Sequence, residues 1–294
     1  MSARPRKQDH MYSRRDLALF TIAGLAAPLG GGSGSVRLGV QASCFSDLPH
    51  EPGRDAVDTL IQAMAECDAR ECELSSSVVE PAAFGAHMSR HHARMPPQMM
   101  RRELRKWRLR TPMGYFESIG SRFRKAGIRV SAYSYSPDST FSDEEIDRGF
   151  SMAKALGADI LTASSTPELA RRIAPVAGKH RMVVAFDSQA AMNLSPFFKL
   201  NVDIAQLIAR NINPVAYIRD HHSHIISMYL TDCRKGDGET VAWGKGDAPI
   251  HEVLQLFKHE AWPIRVYVTC PASGEDRVVE EMKRCVAYAK QAIA

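Results

Sequence analysis

Residues 128–164 read IRVSAYSYSPDSTFSDEEIDRGFSMAKALGADILTAS, and this stretch decides the fold. It opens on Ile128 to Tyr135, an apolar and aromatic run of the kind that suits a strand. Ser142 followed three residues later by Glu145 is a capping box, and it starts a helix carrying Ile146, Phe150 and Ala153 on one face. DILTAS (159–164) is extended again. A strand, a helix and a second strand in that order form a parallel crossover unit.

The same alternation continues outward on both sides. Upstream, VRLGVQAS (36–43) is a first strand. A helix over Asp55 to Cys67 carries Ala56, Val57, Leu60, Ile61 and Met64 on one face, and ECELSS (71–76) is a second strand. A basic helical stretch then runs to the stop at Ala126-Gly127. Downstream, Thr166 caps a helix and Pro167 occupies its first turn. MVVAFD (182–187), KLNVD (199–203) and HIISMYLTD (224–232) read as strands five to seven. Ile250, Val253, Leu254 and Phe257 fall at i, i+3, i+4 and i+7 of a helix. IRVYVTC (264–270) is strand eight, and Val278, Val279, Met282, Cys285, Val286 and Ala289 stripe a last helix. Eight strands alternating with helices over about 260 residues predict an α/β fold, a single-domain (β/α)8 TIM barrel spanning residues 36–294. The competing open doubly wound sheet usually starts with a Gly-rich phosphate turn, and none follows the first strand.

Composition narrows the function. The 294 residues are 45% hydrophobic and 24% charged, which excludes a disordered or disulfide-stapled chain. The net charge of +5 is concentrated in residues 1–35 and in HMSRHHARMPPQMMRRELRKWRLR (87–110), leaving the rest net acidic. A uniformly basic nucleic-acid binder is therefore not indicated. The basic segment reads as a solvated face or as a contact for phosphate and anionic surfaces.

Residues 1–35 resemble a twin-arginine export signal followed by a flexible joint. Arg4, Arg6 and Lys7 precede Arg14-Arg15, and LALFTIAGLAAPLG (17–30) is an apolar run too short to span a bilayer comfortably. GGGSGS (30–35) forms the joint. The expected location is periplasmic, with membrane contact only through an uncleaved signal; a basic tail ahead of a buried helix is the alternative.

Six cysteines, Cys44, Cys67, Cys72, Cys233, Cys270 and Cys285, lack any C-x-x-C pair and read as scattered buried thiols. Cys44 and Cys270 end strands that neighbour each other in a closed barrel. If Thr269 points inward, however, strand alternation turns Cys270 outward, which argues against a thiol site at the mouth.

In a TIM barrel the chemistry sits at the C-terminal ends of the strands. That rule selects Asp187 and Gln189 after strand five, Asp203 and Gln206 after strand six, Tyr229 and Asp232 in strand seven, and Thr269 in strand eight. Each could equally cap a following helix. Tyr133 and Tyr135 alternate on strand three and could stack on a sugar ring, or simply pack. Trp243-Gly-Lys-Gly-Asp247 lies in the loop after strand seven, where its glycines permit a tight turn close to a ligand. His221, His222 and His224 fall at the opposite, bottom face.

LGVQASCFSDLP (38–49), DAVDTLIQAMAECDARECELSSSVVEP (55–81), FRKAGIRVSAYSYS (123–136), GADILTASST (157–166), LNVDIAQL (200–207) and AWGKGDAPIHEVLQLF (242–257) resemble the sugar phosphate isomerase/epimerase family, within the xylose isomerase-like TIM-barrel superfamily. The resemblance implies a divalent metal at the mouth that assists isomerisation of a sugar or polyol. It places Asp187 and Asp203 as catalytic acids and as metal ligands, with Gln189 and Gln206 supplying further oxygens. Tyr133, Tyr229, Trp243, Lys245 and Thr269 would meet the substrate. The usual His or Glu ligands of strands five to eight are replaced by Asp187 with Gln189, by Gln206, by Tyr229 and by Thr269. Such a depleted set implies weak binding of Mg²⁺, Mn²⁺ or Ca²⁺, or of none. The alternative is a non-catalytic exported barrel that binds a carbohydrate or a cell-envelope partner. The related apurinic-site endonucleases need a dense His/Asp/Glu cluster that is absent here, so no nucleic-acid partner is expected.

Overall fold

Eight parallel strands close on themselves in the order of the chain. The structure is a computed structural model that describes residues 36–46, 48, 55–81, 96–164, 166–236, 238–271 and 277–294. The export signal and joint at residues 1–35 lie outside the described residues. The strands are β1 (Arg37–Gln41), β2 (Glu71–Ser75), β3 (Arg129–Ser134), β4 (Ile160–Ala163), β5 (Val183–Phe186), β6 (Phe198–Asp203), β7 (Ile225–Leu230) and β8 (Arg265–Val268). Between them run α1 (Ala56–Glu66), α2 (Ser76–Val79), α3 (Pro97–Arg110), α4 (Met113–Lys125), α5 (Asp143–Leu156), α6 (Pro167–His180), α7 (Ile204–Ala209), α8 (Pro214–His221), α9 (Ile250–Glu260) and α10 (Val278–Ile293). β1 pairs with β8 from Arg37↔Arg265 to Val40↔Val268, which closes the barrel. This is the (β/α)8 architecture that the alternation of periods predicts.

Local signals set the helix ends as the sequence suggests. Ser142 and Glu145 form the reciprocal capping box of α5, and Gly157 ends that helix in the left-handed conformation. Thr166 caps α6, with Pro167 in its first turn. The basic stretch differs from expectation. It forms two helices rather than one, because Pro112 cannot continue the first and opens the second. Nor is it wholly a solvated face, since Arg108 turns inward and pairs with Glu80 at 2.6 Å.

Strand alternation sends one set of side chains to the helix layer and the other into the lumen. Val40, Leu74, Leu161, Val184, Phe186 and Val266 point outward and form one core with the helix stripes. Inside, Ala132, Ile160, Ala185 and Tyr267 pack together, with Ile226 and Tyr229 against them. Gly39 makes room for the large ring of Tyr267: a Cβ there would stand 3.1 Å from Tyr267 Cδ1 and 2.9 Å from the Glu71 carbonyl. The bottom of the barrel is closed by ion pairs, Arg37 with Glu71 at 2.8 Å and Arg265 with Asp159 at 2.6 Å.

The α9 stripe of Ile250, Val253, Leu254 and Phe257 is buried throughout, and Leu254 is fully enclosed. Leu254→Ala should lower unfolding free energy by about 2–5 kcal/mol in urea titration. A value near zero would mean that α9 is not packed on the barrel.

Candidate active site at the barrel mouth

The upper lumen is organised around an acid that the strand pattern leaves inconspicuous. Glu73 of β2 is almost fully enclosed. Thr162 Oγ1 on β4 donates to its Oε1 at 2.5 Å, the Tyr229 hydroxyl on β7 donates to both oxygens at 2.8 and 3.0 Å, and Gln41 Nε2 on β1 donates to Oε2 at 3.0 Å. One carboxyl thus ties four strands together. Burial pushes its pKa above the usual carboxylate range, against the three donors, which pull it back. Burial and the adjacent Glu73 also push the Tyr229 phenol upward, so that hydroxyl stays a neutral donor. Below this layer Ser227 Oγ donates to Asn201 Oδ1 at 2.7 Å, and the Ser131 and Tyr267 hydroxyls meet at 2.9 Å.

Sequence reasoning missed Glu73 because ECELSS registers only as a strand. The signal was available in its period of two, which puts Glu71, Glu73 and Ser75 on one polar face and Cys72 and Leu74 on the other. A polar inward face on a barrel strand is unusual enough to mark a lumen group.

Above Glu73 the rim is lined by short hydroxyls and two carboxylates. Ser136 Oγ accepts from the Ser164 amide at 3.1 Å, and Ser164 Oγ donates to Asp187 Oδ2 at 2.6 Å. This chain crosses the ends of β3, β4 and β5, and Asp187 at its far end is exposed. Asp203 stands level with Tyr229 in the β6–β7 register. Its carboxylate caps α7 by accepting from the Ala205 amide at 2.9 Å. Burial nevertheless raises the Asp203 pKa. Thr269 and Thr231, at the ends of β8 and β7, bond to each other through their hydroxyls and are buried.

The loop after β7 wraps an acid of this chain. Asp232 accepts from the amides of Gly244 at 2.7 Å, Gly246 at 3.1 Å and Ala248 at 3.3 Å. A Cβ on Gly246 would stand 2.2 Å from Asp232 Oδ1, so the glycine is needed for the backbone to close on the carboxylate. Asp247 accepts from the Lys235 amide at 2.8 Å, and α9 starts after Pro249. Trp243 borders the rim, donating to the Thr269 carbonyl at 3.0 Å and meeting Tyr288 edge-on. Lys245 is exposed at the loop tip.

One expectation fails. Tyr133 does not face a ligand: it is fully buried between β3 and the helices, stacked on Tyr135, whose hydroxyl donates to the Glu145 carbonyl. A bulge causes this. Cys72 pairs with Val130 but Glu73 with Ala132, so Ser131 is an extra residue that turns Ala132 inward and Tyr133 outward. Gln189 donates to the Tyr217 hydroxyl on α8 at 2.8 Å, so its amide is engaged with that helix. The bottom-face histidines stack on aromatic rings, His221 on Tyr217 and His222 on Trp262.

The mouth offers a divalent ion only a sparse set of acidic donors. Among the described residues no three His, Cys, Asp or Glu side chains converge. Three of the expected ligands already have protein partners, Asp203 the Ala205 amide, Asp187 the Ser164 hydroxyl and Gln189 the Tyr217 hydroxyl.

The Glu73 network carries a pH signature. A carboxyl whose folded pKa is raised contributes stability below its unfolded pKa and loses it as pH rises toward the folded value. Glu73→Gln keeps the shape and removes the charge. Its stability relative to the parent should therefore be lowest near pH 4.5, the ordinary glutamate value, and climb as pH rises. Urea titrations across that range check this, and a pH-independent difference would mean Glu73 is not shifted.

No protein-family model matches this sequence, and no curated protein does. Solved structures do match. A sugar phosphate isomerase/epimerase from Parabacteroides distasonis superposes with a TM-score of 0.60 at 10% identity, covering 90% of this chain and 98% of that one. A D-psicose 3-epimerase from Clostridium cellulolyticum gives 0.59 at 11%, covering 88% and 99%. A probable 3-DHS dehydratase from Bacillus anthracis gives 0.62 at 10%, covering 87% and 99%. At these identities the likeness is one of fold: this chain shares the barrel of the sugar phosphate isomerase/epimerase structures.

Proposed function

We propose that this chain is an exported barrel that binds a sugar or polyol at its mouth without a resident metal. The observation that carries the reading is the rim itself. Ser136 and Ser164 lead to the exposed Asp187 carboxylate across the ends of β3 to β5, Asp203 stands level with Tyr229, and Ser75 and Ser134 end β2 and β3. Adjacent hydroxyls of a polyol ask for such neutral donors and acceptors, with a carboxylate to take two of their protons. The epimerase and isomerase names of the fold neighbours support a carbohydrate ligand, and the paired Arg14-Arg15 supports export.

Calorimetric titration with ketohexoses, pentoses and sugar alcohols tests this. Binding should be unchanged by EDTA or Mn²⁺, and Asp187→Ala should weaken it about tenfold, the worth of one charge-assisted hydrogen bond. The second reading, metal-assisted isomerisation, draws on Asp203, the one acid retained from the pattern of the resembling family. Asp203→Asn discriminates between the two, because asparagine still caps α7 and only the charge is lost. Epimerisation that needs Mn²⁺ and disappears in Asp203→Asn would replace the binding proposal. For export, changing Arg14 and Arg15 to Lys should retain the protein in the cytoplasm, and unaltered fractionation would refute the twin-arginine route.

A further inference from the structure

Four of the six cysteines are buried, and two are not. Cys44 and Cys270 lie half-buried where β1 and β8 leave the barrel, Cys44 in the 3-10 turn of residues 42–45 that follows β1 and Cys270 just beyond β8. Strand alternation does turn Cys270 away from the lumen, yet Cys44 meets it on that outer side. The Cys44 sulfur stands 3.5 Å from the Cys270 amide nitrogen, which donates to it, and 3.9 Å from the Cys270 carbonyl oxygen. The two cysteines are thus neighbours across the seam. They are separated by 226 positions in sequence and brought together only by closure of the barrel.

We propose that Cys44 and Cys270 form a dithiol site for exchange with small disulfides, closing to a reversible disulfide across the β1–β8 seam. Cys44 is the attacking sulfur. The neighbouring Cys270 thiol and the Cys270 amide N–H, which donates to Cys44 Sγ at 3.5 Å, lower the Cys44 pKa, whereas the adjacent Cys44 sulfur together with burial raises that of Cys270. The Cys44 thiolate attacks one sulfur of a disulfide donor of the glutathione class, forming a mixed disulfide and releasing one thiolate. That thiolate takes the Cys270 proton. The Cys270 sulfur then attacks Cys44 Sγ and expels the second thiolate, which is protonated from water. The protein gives up two electrons, and the donor becomes two thiols. An export compartment keeps such a bond once formed.

The test treats the full-length protein with oxidised glutathione, alkylates remaining thiols after unfolding, and maps peptides without reduction. The parent should lose two hydrogens in mass, retain no glutathione, and yield one cross-linked peptide pair containing Cys44 and Cys270. Cys285→Ser should behave identically, and Cys270→Ser should hold glutathione on Cys44 because the resolving sulfur is gone. Three results would overturn the proposal: glutathione retained on Cys44 in the parent, a cross-link from Cys44 to Cys285, or no reaction at Cys44. Each readout is a mass, so the outcome is independent of whether the barrel binds sugar.

Discussion

An eight-stranded parallel barrel has an interior just wide enough for side chains to fill, and every inward position must therefore match its neighbours in size and polarity. In this chain the fit is made by a few reciprocal choices. Gly39 yields space to Tyr267, and Ala132 and Ala185 complete the layer around that ring. Above them Glu73 takes the centre, and Gln41, Thr162 and Tyr229 exist as a set around it. Removing one donor would leave a buried carboxyl short of a partner, whereas removing the acid would strand three donors. The lumen is thus a unit rather than a collection of positions.

Two bulges decide which residues join that unit. Ser131 on β3 and Ile226 on β7 are each one residue more than the partner strand supplies. A one-residue slip exchanges the two faces of a strand. On β3 the slip sends Tyr133 to the helices, where Gly149 of α5 leaves room for the neighbouring Tyr135 ring: a Cβ there would lie 2.3 Å from it. On β7 it brings Ser227 and Tyr229 into the lumen, beside Asn201 and Glu73. Two tyrosines that look alike in sequence end on opposite sides of the sheet.

This explains what was legible beforehand. Strand and helix periods are local, so the eightfold alternation, the capping box of Ser142 and Glu145, and the stripe of α9 could all be read directly from the chain. The inward direction of Tyr229 and the outward direction of Tyr133 depend on pairing with another strand, which no single segment encodes. Glu73 was hidden for the same reason: its partners come from β1, β4 and β7, and only closure assembles them. The glycines around Lys245 do permit a close approach, but the group approached is Asp232 of the same chain and not a ligand.

The acids of the mouth can be ordered by what already occupies them. Asp232 holds three backbone amides, Asp203 caps α7, and Asp247 holds the Lys235 amide. These three fix loops, and a ligand that claimed them would unmake the rim. Asp187 differs. It accepts from the Ser164 hydroxyl, stays exposed, and belongs to a chain of side chains rather than to a turn. A carboxylate offers about four acceptor sites, so a ligand hydroxyl can join Ser164 without displacing it. Because Ser164 is itself held through its amide by Ser136, the Asp187 carboxylate is already oriented, and a ligand bound there would cost little further ordering. On the proposed reading a ligand would therefore be met on the β3–β5 side of the rim, while the acids after β7 hold backbone amides.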